Sequence, residues 1–481
     1  MPNHVHASPV VAFKWNVADQ FLSQALGFAF NIIMVRLLSP TEFGLFAVPM
    51  VIFLLARTLQ DGATTNLIFR KQNPSLHLMK SIYGFTTLLT IIIGILLFFL
   101  IAPISAWWTN QPEANIITKY LSIGFLFTIP MIFHETVFKK RMDFKSLFVI
   151  SIIATTLSGI LGIILAYKGL GVWSLVIKQL AFILCSFIGY TLKLKWQEGI
   201  SFEFEELWKH KSFTLPLIAD QTFSFAVRNI DSLLVSRYLG GNALGIYDRA
   251  YKFLTLPIQQ VGGAFSRVML PSMSNIQDKM KLQQMFLTIC GVVSLILFPL
   301  MAGLFVLSEH FVLLILTPKW RELIPLLKVF AILACFQTIS TLVGNLFVIG
   351  GNTKEMFKFS LFTKPIYILV FIITTVYYRD LFLLALFYAI SSIIFSFPLW
   401  HLAGKAIELK LSSILKAILP QAMAAFIMAL ILYLVKTYAA SDITFFNFFT
   451  LMITGILSFY LMMYISKNKA FQEAKHFLKL D

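Results

Sequence analysis

Charge is scarce in this chain. Lys, Arg, Asp and Glu make up 13% of its 481 residues, where a soluble protein of that length carries about 25%. So few charges exclude an ordinary water-covered surface. Cysteine is nearly absent: Cys185, Cys290 and Cys335 are the only three. All fall in apolar stretches without the spacing of a metal site or a disulfide framework, so they read as small core residues and no metal is expected. No Walker-type phosphate loop occurs, which argues against direct ATP drive, and no cofactor is expected. Short connections without paired carboxylates leave acid–base catalysis no platform. The opening segment MPNHVHASPVVAF lacks the basic region of a signal peptide, so targeting is expected from the first apolar span.

What the chain has is grease. It is 58% hydrophobic and 15% aromatic, with a mean hydropathy of +0.82. Apolar runs of about 20 residues, enough to cross a bilayer core, recur along it; GFTTLLTIIIGILLFFLIAPI, residues 84–104, is among the clearest. The fold class is therefore an all-α polytopic membrane protein. About fourteen spans are expected on that length criterion, near 13–38, 42–60, 80–106, 116–137, 146–167, 170–192, 213–238, 243–266, 284–307, 322–350, 356–378, 380–402, 413–436 and 443–466.

The net charge of +17 lies mostly in short connections, as membrane orientation requires, and not on a nucleic-acid-binding face. With the N-terminus in the cytoplasm, roughly 24 Lys and Arg fall inside and about 9 outside, the positive-inside bias. Lys139, Lys140, Lys405 and Lys410 are on the inner list; Arg36, Arg237 and Lys319 are on the outer. Both termini are expected in the cytoplasm. The longest connection contains FEFEELWKHKSF, an amphipathic interface segment or a solvated linker.

An internal repeat organises the spans. ADQFLSQALGFAFNIIMVRLLSPTEFG near the start aligns without gaps with ADQTFSFAVRNIDSLLVSRYLGGNALG, which begins at Ala219. Asp19 then matches Asp220, Gln20 Gln221, Ser23 Ser224, Arg36 Arg237 and Gly44 Gly245. Six spans separate the copies, so both enter from the same side, and such parallel repeats are related by an axis along the membrane normal. The expected division is a bundle at 1–192, a cytoplasmic linker at 193–212, a second bundle at 213–402, and two further helices with a tail at 403–481.

RNIDSLLVSRYLGGNALGIYDRAYKFLTLPIQQVGGAFSRVMLPSMSNIQ, residues 228–277, resembles the signature of bacterial polysaccharide flippases, and VRLLSPTEFGLFAV, residues 35–48, is similar to it as well. The family is that of Wzx-type and teichuronic-acid-export-type members of the MOP exporter superfamily. The resemblance implies a transporter of the bacterial inner membrane. It would flip an undecaprenyl-pyrophosphate-linked oligosaccharide by ion-coupled alternating access for O-antigen, capsule or exopolysaccharide assembly. Its partners would be that lipid-linked substrate, the bilayer, and a polysaccharide polymerase or export machinery. The alternatives are a drug or cation antiporter of the same fold, or an integral-membrane glycosyltransferase or polymerase.

An anionic, sugar-bearing substrate needs cations, and charges in hydrocarbon cost enough to be turned toward a cavity. Asp220, Ser224, Arg228 and Asp231 fall on one helical stripe at 100° per residue, and Asp248, Tyr251, Lys252, Thr255 and Gln259 on another. Arg228, Asp231, Arg249, Lys252, Lys178 and Lys364 are the candidate substrate-binding residues. Arg228 and Asp231 could instead form a private i,i+3 pair, and Arg249 and Lys252 could snorkel to an interface. Asp19, Asp220 and Asp248 are candidates for ion coupling, with helix capping the alternative for the first two. Arg57 reads as a structural or lipid-facing residue. Gln337, Thr338, Ser340, Thr341 and Asn345 make one span polar, and Pro130, Pro257, Pro299 and Pro365 are candidate kinks or hinges.

Overall fold

A computed structural model describes residues 9–472 except 71–73, 195, 197–198, 204, 209–210, 275, 441 and 467–470. Lys71, Lys195, Lys209, Lys467, Lys469, Lys475 and Lys479, all expected on the inner side, lie outside the described residues, as does the Pro130 side chain. Packing divides the chain into two units, Met1–Gly245 and Ile246–Asp481.

The first unit is built from α1 (Pro9–Leu37), α2 (Pro40–Arg70), α3 (Leu76–Leu96), α4 (Ala102–Thr109), α5 (Glu113–Leu126), α6 (Thr128–Lys140), α7 (Phe144–Tyr167), α8 (Val172–Leu194), the single turn α9 (Glu205–Trp208), α10 (Lys211–Arg228) and α11 (Ile230–Tyr238). The division falls inside α12 (Gly240–Pro257). The second unit continues with α13 (Gly263–Ser274), α14 (Lys279–His310), α15 (Leu323–Ile349), α16 (Thr353–Ile372), α17 (Leu381–Lys405), α18 (Leu411–Tyr438) and α19 (Phe445–Ile465). No strand occurs among the described residues, as expected where backbone polar groups must be satisfied within each spanning segment.

Local signals set where helices start. Asp143 accepts from the Ser146 N–H at 3.1 Å at the head of α7, Asp278 from Met280 at 2.9 Å before α14, and Asp380 from Leu383 at 2.9 Å before α17. Each satisfies one of the donors a helix start leaves open. Among the described residues, four π-helical segments, Leu97–Ile101, Ile258–Gly262, Phe311–Leu316 and Ile373–Tyr378, extend or bridge these helices; Pro257 immediately precedes the second.

Exposure is inverted relative to a soluble protein. Phe99, Phe446 and Ile456 are among many exposed large apolar side chains, which suits a lipid-facing surface. Polar groups are instead buried between helices. Gln60 Nε2 donates to Thr90 Oγ1 at 2.6 Å, Thr128 Oγ1 donates to Gln60 Oε1 at 2.9 Å, and Thr64 and Thr86 share a 2.8 Å bond. These tie α2 to α3 and α6, as polar side chains do where no hydrophobic drive holds helices together. In the second unit, Phe286, Cys290 and Val293 of α14 pack with Val343 of α15 and Met428 of α18. Cys290 is buried, Cys185 and Cys335 are partly so, and all three are free thiols.

The all-α polytopic class holds. Among the described residues, eleven helices are long and apolar enough to cross a membrane, or twelve if Glu113–Leu126 and Met131–Lys140, bent by 48°, form one broken span. The expected fourteen is not reached. The two expected spans outside the criterion, 213–238 and 243–266, are those interrupted by Arg228, Asp231, Asp248, Arg249 and Lys252. Their helices exist, but their charges lower the hydropathy.

Candidate functional site

The first expected stripe is broken by the backbone. α10 ends at Arg228, and Asn229 (φ −115°, ψ 8°) interrupts the helix before α11 begins. The Asn229 side chain donates back to the Phe225 carbonyl at 2.8 Å, stabilising the break. The turn resets the helical phase: Asp220 and Arg228 are exposed, whereas Asp231 is buried at 5% exposure. Asp231 accepts from the Ser232 N–H at 2.7 Å. No ion pair joins Arg228 to Asp231 among the described residues, and the Arg228 side chain is left without a hydrogen-bond partner among them. The private-pair alternative therefore has no geometric basis here.

The second stripe keeps its phase from Asp248 to Thr255 within α12, and Gln259 falls in the π-helical segment that follows. Asp248 sits at its centre, accepting from Lys252 Nζ at 2.9 Å and from Arg249 Nε at 3.1 Å. Arg249 is buried and Lys252 half-exposed, with side-chain exposures of 7% and 48%. One carboxylate thus contacts two cations. Tyr247 and Tyr251 stack beside it with centroids 6.0 Å apart.

Two expected cations stand apart from these stripes. The stem of Lys178 on α8 lies over Gly162 of α7, where an added Cβ would be 3.0 Å from its own Cβ. Lys364, beside Pro365 within α16, is partly buried and has no ion pair among the described residues.

Helix capping does not account for Asp19 or Asp220. Each lies well inside its helix, α1 or α10, and not at its start. Asp19 accepts from the Ser23 hydroxyl at 2.7 Å, and the Ser151 hydroxyl donates to Ser23 at 3.2 Å. It also lines a polar cleft in the first unit of about 190 Å³, with Asn16, Arg57, Glu135, Lys139, Ser151, Ser186 and Tyr190. Glu135 binds Lys139 at 2.7 Å and lies 3.7 Å from Arg57. The cleft carries two carboxylates and two cations, so its formal charge is balanced.

Sequence reasoning named Asp19 and Arg57 but passed over Glu135 and Tyr190. The available signal was the i,i+4 spacing of Glu135 and Lys139, the favourable order for a helical ion pair. It was masked by the basic run that follows, KKR, which reads as an interface.

The comparisons with known proteins agree with this architecture. A family model described as "Polysaccharide biosynthesis protein" matches residues 33–325, covering both stretches that carried the resemblance. The lipopolysaccharide biosynthesis protein WzxC of Escherichia coli (strain K12) is 25% identical over 362 residues, 74% of this chain and 73% of that protein. The teichuronic acid biosynthesis protein TuaB of Bacillus subtilis (strain 168) is 27% identical over 339 residues, 69% of this chain and 70% of its own. Among solved structures, the lipid II flippase MurJ in an inward closed conformation superposes with a TM-score of 0.75 at 18% identity, over 94% of this chain and 98% of that one. That likeness concerns the fold. With its family model matched over more than half its length, the chain belongs to the polysaccharide biosynthesis protein family.

Proposed function

We propose that the protein flips a lipid-linked oligosaccharide, carried on undecaprenyl pyrophosphate, across the bacterial inner membrane for O-antigen, capsule or exopolysaccharide assembly. The observation that carries this reading is an exposed cation within a helical stripe otherwise rich in apolar residues. Arg228 has no ion pair and no hydrogen-bond partner among the described residues. A diphosphate supplies the missing anion, and an arginine can hold it by two parallel bonds. A cationic drug would meet repulsion at the same position, which disfavours the antiporter reading. The substrate's covalent bonds stay intact, so the protein acts as a carrier and not as an enzyme.

The helices are proposed to form two parallel-repeat bundles, 1–192 and 213–402, joined by 193–212 and followed by 403–481. Both termini face the cytoplasm, as the basic connections favour. Asp19, Asp220 and Asp248 are the carboxylates through which an ion gradient would drive the cycle, and a polymerase or export machinery takes the product. Reconstitution tests the reading. Proteoliposomes holding the protein should translocate a fluorescent undecaprenyl-pyrophosphate oligosaccharide faster than empty liposomes. Equal rates would refute it, and transport of a cationic dye instead would select the antiporter.

A further inference from the structure

The two copies of the repeat meet at the end of the helices away from the chain's N-terminus. α1 ends at Leu37 and α2 begins at Pro40; α11 ends at Tyr238 and α12 begins at Gly240. The contact has no room for side chains. A Cβ added to Gly44 would stand 1.7 Å from the Gly241 carbonyl oxygen, and one added to Gly245 would stand 1.8 Å from that of Pro40. Thr41 Oγ1 and Asn242 Oδ1 lie 3.4 Å apart.

These three contacts share one symmetry. In the repeat alignment Pro40 corresponds to Gly241, Thr41 to Asn242 and Gly44 to Gly245. Residue 40 of the first copy meets the counterpart of residue 44, residue 44 meets the counterpart of residue 40, and residue 41 meets its own counterpart. Such exchange is the mark of a self-complementary, two-fold contact. The local axis passes between Thr41 and Asn242.

A second set of bonds fastens the same end. The Arg237 guanidinium donates to the Trp107 carbonyl at 2.7 Å, to the Trp108 carbonyl at 3.2 Å and to Asn110 Oδ1 at 2.9 Å. Its carbon lies 5.1 Å from the centroid of the Trp107 ring and 6.0 Å from that of Trp108. The Trp108 indole N–H donates in return to the Leu233 carbonyl at 3.0 Å. Asn110 is held for this in the left-handed region, φ 54°, where it ends α4. Carbonyl and amide acceptors, with no carboxylate among these bonds, make the attachment one that water can replace. A bond between neutral acceptors and a charged fork is reversible on that ground.

We propose that the Gly44–Gly241 and Gly245–Pro40 crossing is the closed outer gate of the transport route, and that Arg237 is its latch. Backbone pressed on backbone through glycine holds α2 against the start of α12 with no side chain between them at Gly44 and Gly245. Passage of a glycan requires α11 and the start of α12 to part from α2 and α4 at this end. This rests on the transporter reading, and the experiment separates the two.

The protein with Cys185, Cys290 and Cys335 replaced by Ser is the reference, and Thr41→Cys with Asn242→Cys is added to it. A short bifunctional thiol reagent or an oxidant should link the pair within one chain. Linking should abolish translocation in the proteoliposome assay, and reduction of the disulfide should restore it, while either single cysteine transports normally under both treatments. A pair that never links denies the contact, and a linked protein that still transports denies the gate; either overturns the proposal. A reference protein that translocates nothing condemns the transporter reading instead. For the latch, Arg237→Ala should raise labelling of Pro40→Cys, a buried position of the crossing, by a membrane-impermeant thiol reagent added to intact cells, and Arg237→Lys should restore part of the protection. Unchanged labelling in Arg237→Ala would overturn the latch.

Discussion

Arg228→Ala separates a substrate contact from a structural one because the structure leaves nothing to strand. The side chain is exposed on the last turn of α10, has no ion pair among the described residues, and is not bonded to Asp231. Its truncation should therefore change stability by no more than about 0.5 kcal/mol, the range for surface positions free of special features. Membrane abundance and thermal unfolding in detergent should stay as in the wild type. The effect on transport is a different quantity. Two charge-assisted bonds to a diphosphate contribute about 1.5–3 kcal/mol each, so a loss of at least about 3 kcal/mol is expected. That is about a hundredfold in rate at subsaturating substrate, since about 1.4 kcal/mol is tenfold. Arg228→Lys keeps a point charge without the planar fork, and should lose roughly tenfold, about half of the free energy. Translocation by proteoliposomes, normalised to inserted protein, reads both. A private pair with Asp231 forecasts otherwise: Arg228→Ala would lower stability, and adding Asp231→Ala would restore function. Recovery in that double-mutant cycle, or wild-type transport in Arg228→Ala, would refute the reasoning.

Three further outcomes follow from the packing. Glu135→Gln should destabilise the first unit by about 1–2 kcal/mol, because Arg57 and Lys139 then face each other across the cleft without their shared carboxylate; Arg57→Gln in the same chain should recover part of the loss in a thermal-unfolding assay. Gln60→Leu removes the side chain that joins Thr90 to Thr128, and at about 0.6 kcal/mol per interhelical bond in a membrane it should cost only about 1 kcal/mol of unfolding stability. A loss several times larger would mean that Gln60 positions more than those two threonines. Reporter fusions after Lys140 and Lys410 should read cytoplasm and fusions near Asn110 and Lys319 the opposite side, and a consistent reversal of the four would overturn the assigned orientation.

The spans were legible because crossing a bilayer is a local property. A run such as 84–104 must be apolar wherever its neighbours lie, and it is found inside Leu76–Thr109, one of the spanning segments. The repeat was legible for a different reason. Asp19, Ser23, Arg36 and Gly44 keep their frame in Asp220, Ser224, Arg237 and Gly245, and at Gly44 and Gly245 the cause is visible: each faces a backbone carbonyl at a distance no Cβ tolerates. Glycine there is required by the neighbour and not by its own φ, so only the matching frame could announce it.

The failures share a cause as well. Asn229 is a weak helix breaker, and the 100° periodicity ran straight through it from Arg228 to Asp231. What stops the helix is the return of the Asn229 amide to the Phe225 carbonyl, a local bond that competes with the helical ladder. Once the phase is reset, two residues read as neighbours on one face become an exposed cation and a buried carboxylate. The cleft at Asp19 escaped notice for the opposite reason, since nothing local marks it. Its polar groups come from α1, α2, α6, α7 and α8, one or two residues from each. On any single helix such residues resemble interhelical glue or interface anchors. Only the convergence of five helices turns them into a charge-balanced chamber. Substrate sites in a bundle of this kind are assembled from minor features of many helices, so the residues to test first are those whose charge finds no partner on the helices around it. Arg228 meets that criterion among the described residues; Lys364 does too, and Lys364→Ala should therefore lower transport without lowering membrane abundance. Normal transport by that variant would remove Lys364 from the candidate substrate contacts and leave Arg228 as the stronger of the two.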